Sequence, residues 1–473
     1  MRVPLHGLDA APRLGVVLPR EGSAGWADGA WWAALLEAWG YPAEHIAPVS
    51  PVDGFTTLIV PTAALDDGLG ERLRAADGAV LLAGARSASA DRVAGARFER
   101  SAEDLETDTE EAADAALAAL REAAPAGLVS VWRWPGRATA ALVVDGDVDH
   151  PTGVDPECAR YVAPALETAR RAGYPAYGIF ATAAAVDAEP ASFPPAPGYY
   201  NHSFSHPYSH WNPRPWEDLD AGEMTEEIRR SRDTFLERLG VDDEGIFRLP
   251  HFQHDAFDRT AEVLESLGYR SESSVGGNRS ITGGLPYHPA RRAWSVRPAD
   301  AALARTHPDP ADRRTFLQLP ITTDPTDPAF PNGCCSYHTL GEGVRSRTAA
   351  PQAYGRVLDE VLERAIRRES LAHVFIDPPD AGFGRLPGDD PGYAGEVERW
   401  MRDAVARSDL AILTTAELTT WWLARERAIA RLEIHDEEGR PIADIDDPPP
   451  GLTLEVVAPS GDRRLVDVAT VDA

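Results

Sequence analysis

Carboxylates gather at one point of this chain where an apolar run ends. Asp145, Asp147 and Asp149 alternate with Gly146 and Val148 directly after the apolar run ALVV. Carboxylates this close together repel one another, so the group is stable either beside a bound cation or with its acids pointing into water. The motif by itself leaves both interpretations open.

A histidine pair follows in the sequence HSFSH. His202 and His206 are four residues apart, which on a helix would place them on one face, but the preceding YYN and the following Pro207 disfavour a helix here. We therefore predict a strand end that runs into a loop. Two imidazoles and one carboxylate suit Zn²⁺ and leave a coordination position open for water. The alternative is a pair of loop histidines bonded to the backbone.

Two further polar residues accompany apolar runs later in the chain. Arg248 follows the run GIF and begins the sequence RLPH. A guanidinium at a strand end can hold a carboxylate in bidentate geometry and keep it ionised. His373 lies in LAHVFID, where its imidazole could serve as a general acid. A lone buried histidine is more often structural, so neither residue identifies a site alone.

Strand and helix patterns alternate from Arg13 to about residue 123. RLGVVLP, FTTLIVP and GAVLLAG are typical of buried strands, and two intervening segments have helical spacing. This alternation predicts a parallel α/β layer domain of Rossmann-like or flavodoxin-like type. The segment has no cysteine before Cys158, which excludes thiol chemistry, and no G-x-G-x-x-G turn, so dinucleotide binding has no support.

A second and longer alternation supplies eight strand-like runs, which favours a closed (β/α) barrel over an open sheet. After the helical segment TTWWLARERAIA the pattern changes to period two, which is typical of antiparallel hairpins. We expect three domains: an α/β layer domain at residues 1–130, a barrel at 131–428 and a small β appendage at 429–473.

The four motifs occur in the order Asp-x-Asp, H-S-x-x-H, R-x-P and L-x-H. In that order they resemble the motifs of the polysaccharide deacetylase family with its NodB-homology domain, over about Trp132 to Arg425. The resemblance implies a distorted (β/α)7-8 barrel that binds one divalent metal ion, Zn²⁺ first, with Co²⁺, Ni²⁺ or Mn²⁺ as alternatives. The chain departs from the family pattern at Gly146, which separates the first two acids and so bears on which acid is the ligand. It also departs at His251, after R-L-P, which bears on the walls of the substrate site.

The resemblance also implies a role for each matching residue. The metal ligands are then Asp147, His202 and His206, with Asp149 as the substitute for Asp147. The catalytic groups are Asp145, Arg248 and His373. In this scheme Asp145 is the base that activates water, Arg248 orients Asp145, and His373 protonates the leaving amine.

Composition and charge narrow the partners. The chain has 473 residues, of which 43% are hydrophobic. Its formal net charge of −29 argues against nucleic acid or an anionic membrane as the main ligand. Its three cysteines, including the pair Cys334 and Cys335, are too few for a disulfide framework. We see no signal peptide and no membrane-spanning run, and we expect a cytoplasmic protein.

The function predicted from these patterns is metal-dependent hydrolysis of an amide C–N bond, foremost N-deacetylation of a carbohydrate or glycoconjugate. One alternative is hydrolysis of a small non-carbohydrate amide, for which a closed pocket would speak rather than an open groove. Another is a non-catalytic binding scaffold, because a fold does not by itself imply activity. Trp31, Trp32, Trp421 and Trp422 have helical spacing, so we expect core or interdomain packing rather than sugar binding. The sequence leaves the oligomeric state open.

Overall fold

The structure is a computed structural model. It describes residues 1–76, 78–83, 109–149, 158–207, 213–250, 257–276, 282–291, 306–322, 350–382 and 391–468. Some features that the sequence analysis singled out lie outside these residues, namely His251, Cys334 and Cys335.

The first described residues form a strand, β1 (Arg2–Pro4), and then a parallel α/β layer. The four strands of the layer are β2 (Leu14–Val17), β3 (Ala43–Ile46), β4 (Thr57–Pro61) and β5 (Ala79–Ala83). Its helices are α1 (Trp26–Trp39), α2 (Asp67–Ala75) and α3 (Thr109–Ala123). The spatial order β3-β2-β4-β5 is that of a flavodoxin-like sheet. The predicted parallel layer is therefore confirmed.

After β6 (Leu128–Val131), parallel strands form a curved sheet that surrounds an interior. The strands are β7 (Ala140–Val148), β8 (Tyr177–Ala181), β9 (Tyr199–Asn201), β10 (Ile246–Phe247), β11 (Ser271–Glu272), β12 (Leu317–Gln318), β13 (Leu371–Phe375) and β14 (Leu410–Ile412). Their spatial order is β12-β11-β10-β9-β8-β7-β13, and β14 pairs with β7. This is the distorted α/β barrel that the sequence predicts.

The described helices of this region follow the strands along the chain. They are α4 (Val162–Ala172), α5 (Ala183–Ala188), α6 (Ala221–Arg238), α7 (Phe257–Ser266), α8 (Pro351–Arg367), α9 (Pro378–Gly382), α10 (Pro391–Val405) and α11 (Thr415–Ala430). Apolar side chains of α4, α8 and α10 pack with those of β7, β8 and β13 in one core cluster. This cluster lies outside the barrel wall and holds the strands that carry the acidic motif.

Hydrogen bonds beyond the regular ladder connect the two end strands of the barrel order. The N–H of Thr322, four residues after β12, donates to the carbonyl oxygen of His373 on β13 at 2.9 Å. The N–H of His373 donates to Thr322 Oγ1, also at 2.9 Å. The ring is thus closed next to a predicted site residue.

Helix α11 closes the end of the barrel opposite the carboxyl ends of the strands, which we call the floor. Thr415 and Thr419, one turn apart, donate hydrogen bonds to Asp145 of β7 and to Ser271 of β11. A capping box between Thr414 and Glu417 fixes the start of this helix. The first turn of α11 therefore contacts the barrel interior directly.

The last strands are β15 (Leu432–Glu437), β16 (Arg440–Ile445), β17 (Thr453–Val457) and β18 (Arg463–Asp467). They form the predicted antiparallel hairpins, and each hairpin gains a strand from before the barrel. Among the described residues one sheet has the order β1-β16-β15 and the other has the order β18-β17-β6. Both sheets thus join chain segments from the two sides of the expected barrel domain.

The tryptophans of the helical patterns are buried, as predicted. Trp31, Trp32 and Trp422 lie in one cluster with Leu371 of β13, and Trp421 lies in the cluster of the antiparallel sheets. These clusters connect the layer domain and the hairpins to the barrel. No helix in the described ranges combines the length and the apolar character that crossing a bilayer requires.

Candidate functional site

Strand β7 carries its three acids on one face and at three depths. Side chains alternate between the faces of a strand, so Asp145, Asp147 and Asp149 point the same way. Asp145 is 0% exposed and Asp147 is 7% exposed. The side chain of Asp149, one residue beyond the strand, is 36% exposed. The face therefore runs from the barrel floor to the rim at the carboxyl ends of the strands.

Asp145 is enclosed by donors at the floor. Arg248 Nη2 donates to its Oδ1 at 2.8 Å, while Thr415 Oγ1 donates to its Oδ2 at 3.0 Å and His373 Nε2 lies 2.7 Å from the same oxygen. Burial acts to raise the pKa of Asp145, but the charges of Arg248 and His373 and their hydrogen bonds lower it to about 2. Asp145 is thus a buried, ionised carboxylate.

Asp147 stands one step higher and shares the same guanidinium. Arg248 Nη1 donates to its Oδ1 at 2.7 Å, and the other oxygen, Oδ2, lies 3.6 Å from Nε2 of His202. The pKa of Asp147 is raised, because burial outweighs the attraction of Arg248 and of His202. One oxygen of this carboxylate is therefore held by arginine while the other faces the histidine pair.

The arginine that joins both acids is itself held on several sides. Arg248 is buried, and its Nε donates to the carbonyl oxygen of Ser273 at 2.8 Å. Its guanidinium carbon lies 3.9 Å from the ring centroid of Phe180 and 5.2 Å from that of Phe375. These contacts fix the fork of the guanidinium between the two carboxylates.

Gly146 allows a close approach of neighbouring chain segments. A Cβ at this position would overlap the carbonyl oxygen of Ile376, just after β13. The approach lets the N–H of Ile376 donate to the carbonyl oxygen of Asp145 at 2.7 Å. It also lets the N–H of Asp147 donate to Asp377 Oδ1 at 2.9 Å. The glycine that separates the acids thus has a packing reason.

Asp149 meets both histidines at the rim. Its Oδ1 lies 3.3 Å from Nε2 of His202 and 3.2 Å from Nε2 of His206. The three ligand atoms that these residues offer all lie within 4.8 Å of one another. The pKa of Asp149 is held well below its usual value: burial acts to raise it, but the charge of His206 and the hydrogen bonds from both histidines outweigh that effect.

The backbone sets the orientation of His202. Its Nδ1 lies 3.0 Å from the carbonyl oxygen of Arg248, so the ring keeps a proton on Nδ1, and a bound metal ion would replace the proton on Nε2 that bonds to Asp149. This tautomer presents Nε2 to the space shared with Asp149 and His206. The donor set of two imidazole nitrogens and one carboxylate oxygen fits Zn²⁺ and similar divalent ions.

The predicted site residues thus come together, but in an order that differs from the one implied by the resemblance. Asp149, rather than Asp147, lies in the three-donor group with the histidines. Asp145 has no exposed surface with which to reach water, which is a physical objection to its role as base. His373 has none either and is bonded to Asp145 at the floor, which is a physical objection to its role as the acid that protonates a leaving group.

Two residues near the site were missing from the sequence analysis. Asp377 follows the apolar run VFI directly, and an acid at the carboxyl end of a barrel strand was a signal that could have found it. Thr415 begins a helix far along the chain, and its contact with Asp145 depends on where α11 packs. No local pattern marks such a residue.

Comparisons with known proteins give structural similarities only. No family model matches the chain, and no curated protein matches it. A putative polysaccharide deacetylase from Mycobacterium smegmatis is 13% identical with a TM-score of 0.43, over 62% of this chain and 93% of that one. Agd3, described as a novel carbohydrate deacetylase, is 9% identical with a TM-score of 0.42, over 98% and 95%.

Another similar structure is a CE4 family pseudoenzyme from Bacillus anthracis, 9% identical with a TM-score of 0.32, over 59% of this chain and 65% of that one. Polysaccharide deacetylases and CE4 proteins are therefore among the structural neighbours of this chain.

Proposed function

We propose that this protein is a metal-dependent hydrolase that removes an acyl group from an amide of a carbohydrate. The observation that carries the proposal is the grouping of Asp149, His202 and His206 beside a second carboxylate, Asp147, that Arg248 holds. A divalent ion site next to an oriented carboxylate is an arrangement that can perform amide hydrolysis by water.

Asp149, His202 and His206 would hold the metal ion. When bound, the ion would polarise the amide carbonyl and lower the pKa of water. Asp147 is placed to accept a proton, because its Oδ1 is fixed by Arg248 and its Oδ2 faces His202 of the ion site. Arg248 keeps Asp147 in one orientation and offsets the negative charge of the buried acids.

This scheme moves each acidic role two residues along β7 relative to the family resemblance. Asp147 takes the role of base in place of Asp145, and Asp149 takes the role of ligand in place of Asp147. Asp145 then serves as a buried partner of Arg248 at the floor, and His373 as a buried partner of Asp145. These assignments follow from how deeply each acid is buried, because a base must contact water and a ligand must contact the ion.

The first experiment measures the metal content of the purified protein by elemental mass spectrometry, before and after dialysis against zinc. We expect about one ion per chain in the wild type. The His202→Ala/His206→Ala double variant and the Asp149→Ala variant should bind no ion, and Asp147→Asn should retain it. A wild type that binds no zinc, cobalt, nickel or manganese would overturn the proposal.

The second experiment tests the reaction. Release of acetate from a panel of N-acetylated sugars and their oligomers is compared with release from small N-acetylated amines, with the zinc-loaded and the chelator-treated protein. We expect turnover of a sugar substrate that depends on the metal. Turnover confined to the small amides would replace the carbohydrate with that alternative, and metal binding without turnover of any member would favour a binding scaffold.

A further inference from the structure

The segment between the two histidines has an unusual backbone. Ser203 has a φ of 67° and His206 has a φ of 51°, both in the left-handed region that non-glycine residues rarely adopt. Ser203 Oγ accepts a hydrogen bond from the N–H of His206 at 3.2 Å, and Asn201 Oδ1 accepts one from the N–H of Ser203 at 2.9 Å. Such a conformation persists only where the surroundings hold it.

Helix α6 supplies much of that hold through one carboxylate. Glu227 Oε2 accepts hydrogen bonds from the N–H of Phe204 at 3.1 Å and from the N–H of Ser205 at 2.8 Å. Its Oε1 accepts a third bond from the hydroxyl of Ser205 at 2.7 Å. A single side chain thus binds the middle of the segment by three charge-assisted bonds.

A second side chain of the same helix covers the segment. The guanidinium carbon of Arg230 lies 3.5 Å from the ring centroid of Phe204. Residues three apart on a helix are neighbours on its surface, so Arg230 and Glu227 contact the segment from one face of α6. We call these two residues the α6 clamp.

The helix that carries the clamp is well fixed. A capping box between Asp220 and Glu223 starts it, and it buries Ile228 and Phe235. The carbonyl oxygen of Ile228 accepts a hydrogen bond from Asn201 Nδ2 at 2.9 Å. Through the clamp, helix α6 therefore fixes the position of the loop that ends in His206.

We propose that the α6 clamp sets the metal affinity of the site by holding His202 and His206 in their ligating geometry. The inference rests on the proposed function in one respect, that the two histidines bind a metal ion. Glu227 and Arg230 act through Phe204 and Ser205, which lie between the histidines, so they are positioning residues. Loss of Glu227 removes the acceptor of three donors and lets Ser203 and His206 relax to ordinary backbone angles.

The test measures the affinity of metal-free protein for zinc by competition with a chromophoric chelator. The variants are Glu227→Ala and Glu227→Gln, and the matched controls are Glu226→Ala and Glu226→Gln. Glu226 is the neighbouring acid of α6; it is 59% exposed and pairs only with Arg229 among the described residues. We expect binding about 10- to 100-fold weaker in Glu227→Ala and an intermediate loss in Glu227→Gln, with no change in the controls.

Two further readouts separate positioning from general destabilisation. The thermal midpoint of each metal-free variant is measured first, and affinities are compared well below the lowest midpoint. The visible absorption of bound Co²⁺ reports the geometry of its ligands, and we expect it to change in the Glu227 variants and to stay unchanged in the Glu226 variants. Arg230→Met, which removes the charge above Phe204, should weaken zinc binding by a few-fold.

The outcomes distinguish the two proposals. A wild type that binds no metal ion would overturn the proposed function and the clamp together. If the wild type binds zinc and both Glu227→Ala and Glu227→Gln bind it as tightly as the wild type, with an unchanged Co²⁺ spectrum, the proposed role of the clamp alone would be overturned. If Glu227→Ala does not fold, Glu227→Gln and Arg230→Met decide the question by the same two measurements.

Discussion

The floor and the rim of the barrel use the same residue type on the same strand for opposite purposes. At the floor, Asp145 is surrounded by Arg248, His373 and Thr415 and has no exposed surface. At the rim, Asp149 shares a partly exposed space with two histidines. The floor carboxylate is fully bonded by donors from three elements, whereas the rim carboxylate is partly exposed and meets both histidines through one oxygen.

The acids of one short motif can therefore have different roles, because each lies at a different depth in the barrel. Residues two apart on a strand share a face and lie about 6–7 Å apart along it. In this barrel that step takes a carboxylate from the closed end towards the solvent. Arg248 bonds to the lower two acids and leaves the third for the histidine pair. The position of an acid along β7 therefore decides what it can do.

The largest expected effect is a loss of activity when Asp147, the middle acid, is replaced. Asp147→Asn should lower kcat by about 10²- to 10⁴-fold, because the amide cannot accept the proton that a general base takes. Metal content, measured by elemental mass spectrometry, should stay at the wild-type level. Full activity in Asp147→Asn would contradict the assignment of Asp147 as the base.

Replacing the floor acid and replacing the rim acid should change the free energy of unfolding by different amounts. Asp145→Asn should lower the free energy of unfolding by roughly 3–5 kcal/mol, because it removes the charge that balances buried Arg248 and His373. Asp149→Asn in metal-free protein should lower it by less, because the side chain of Asp149 is 36% exposed and water screens its attraction to the two histidines. Urea unfolding followed by circular dichroism measures both. Equal effects at the two positions would remove the distinction between floor and rim.

The junction between floor and rim can be tested at Gly146. Gly146→Ala should lower the free energy of unfolding by about 3 kcal/mol, because the added Cβ meets the carbonyl of Ile376 and the backbone must shift. Gly173→Ala is the control; Gly173 ends α4 with nothing within 4 Å of an added Cβ, although its φ of 72° adds a cost of roughly 1–2 kcal/mol. A smaller effect at Gly146 than at Gly173 would show that the close approach is unimportant.

The smallest expected effect is the pH dependence of the floor. The pKa of Asp145 is about 2 in the folded protein, whereas an aspartate in the unfolded chain has its usual pKa of 3.8. The ionised group therefore contributes about 2 kcal/mol of stability above pH 4, and the contribution is lost as the pH falls towards 2. The stability difference between wild type and Asp145→Asn should shrink by up to that amount over this range. A difference that stays constant would contradict the lowered pKa.

Much of the fold followed from local pattern. The buried runs around β2, β4, β5 and β7 contain enough consecutive apolar residues to be recognised as strands of a parallel sheet. The short strand β10 was also predicted, from the run GIF that precedes Arg248, although only two of its residues have ladder pairing. The pairing of the C-terminal hairpins with β1 and β6 could not be read from the chain, because strand partners distant in sequence leave no local signal.

The sequence by itself determined which side chains are available at the site. It placed three acids on one face of β7, and it put histidines and an arginine at the ends of two other strands. Those facts follow from the period of a strand and from the rule that parallel strands end on one edge of a barrel. The acids, histidines and arginine of the site are therefore determined by the chain alone, whereas the contact of Thr415 with Asp145 is not.

Only the tertiary structure decided the role that each of these groups can take. Whether Asp145 or Asp147 faces water depends on how deep β7 lies between its neighbours and on where the first turn of α11 enters the floor. Whether His373 reaches a substrate depends on the same packing. Depth is a property of the assembled barrel, because burial comes from segments far apart in the chain, and a run of letters such as DGDVD contains no measure of it.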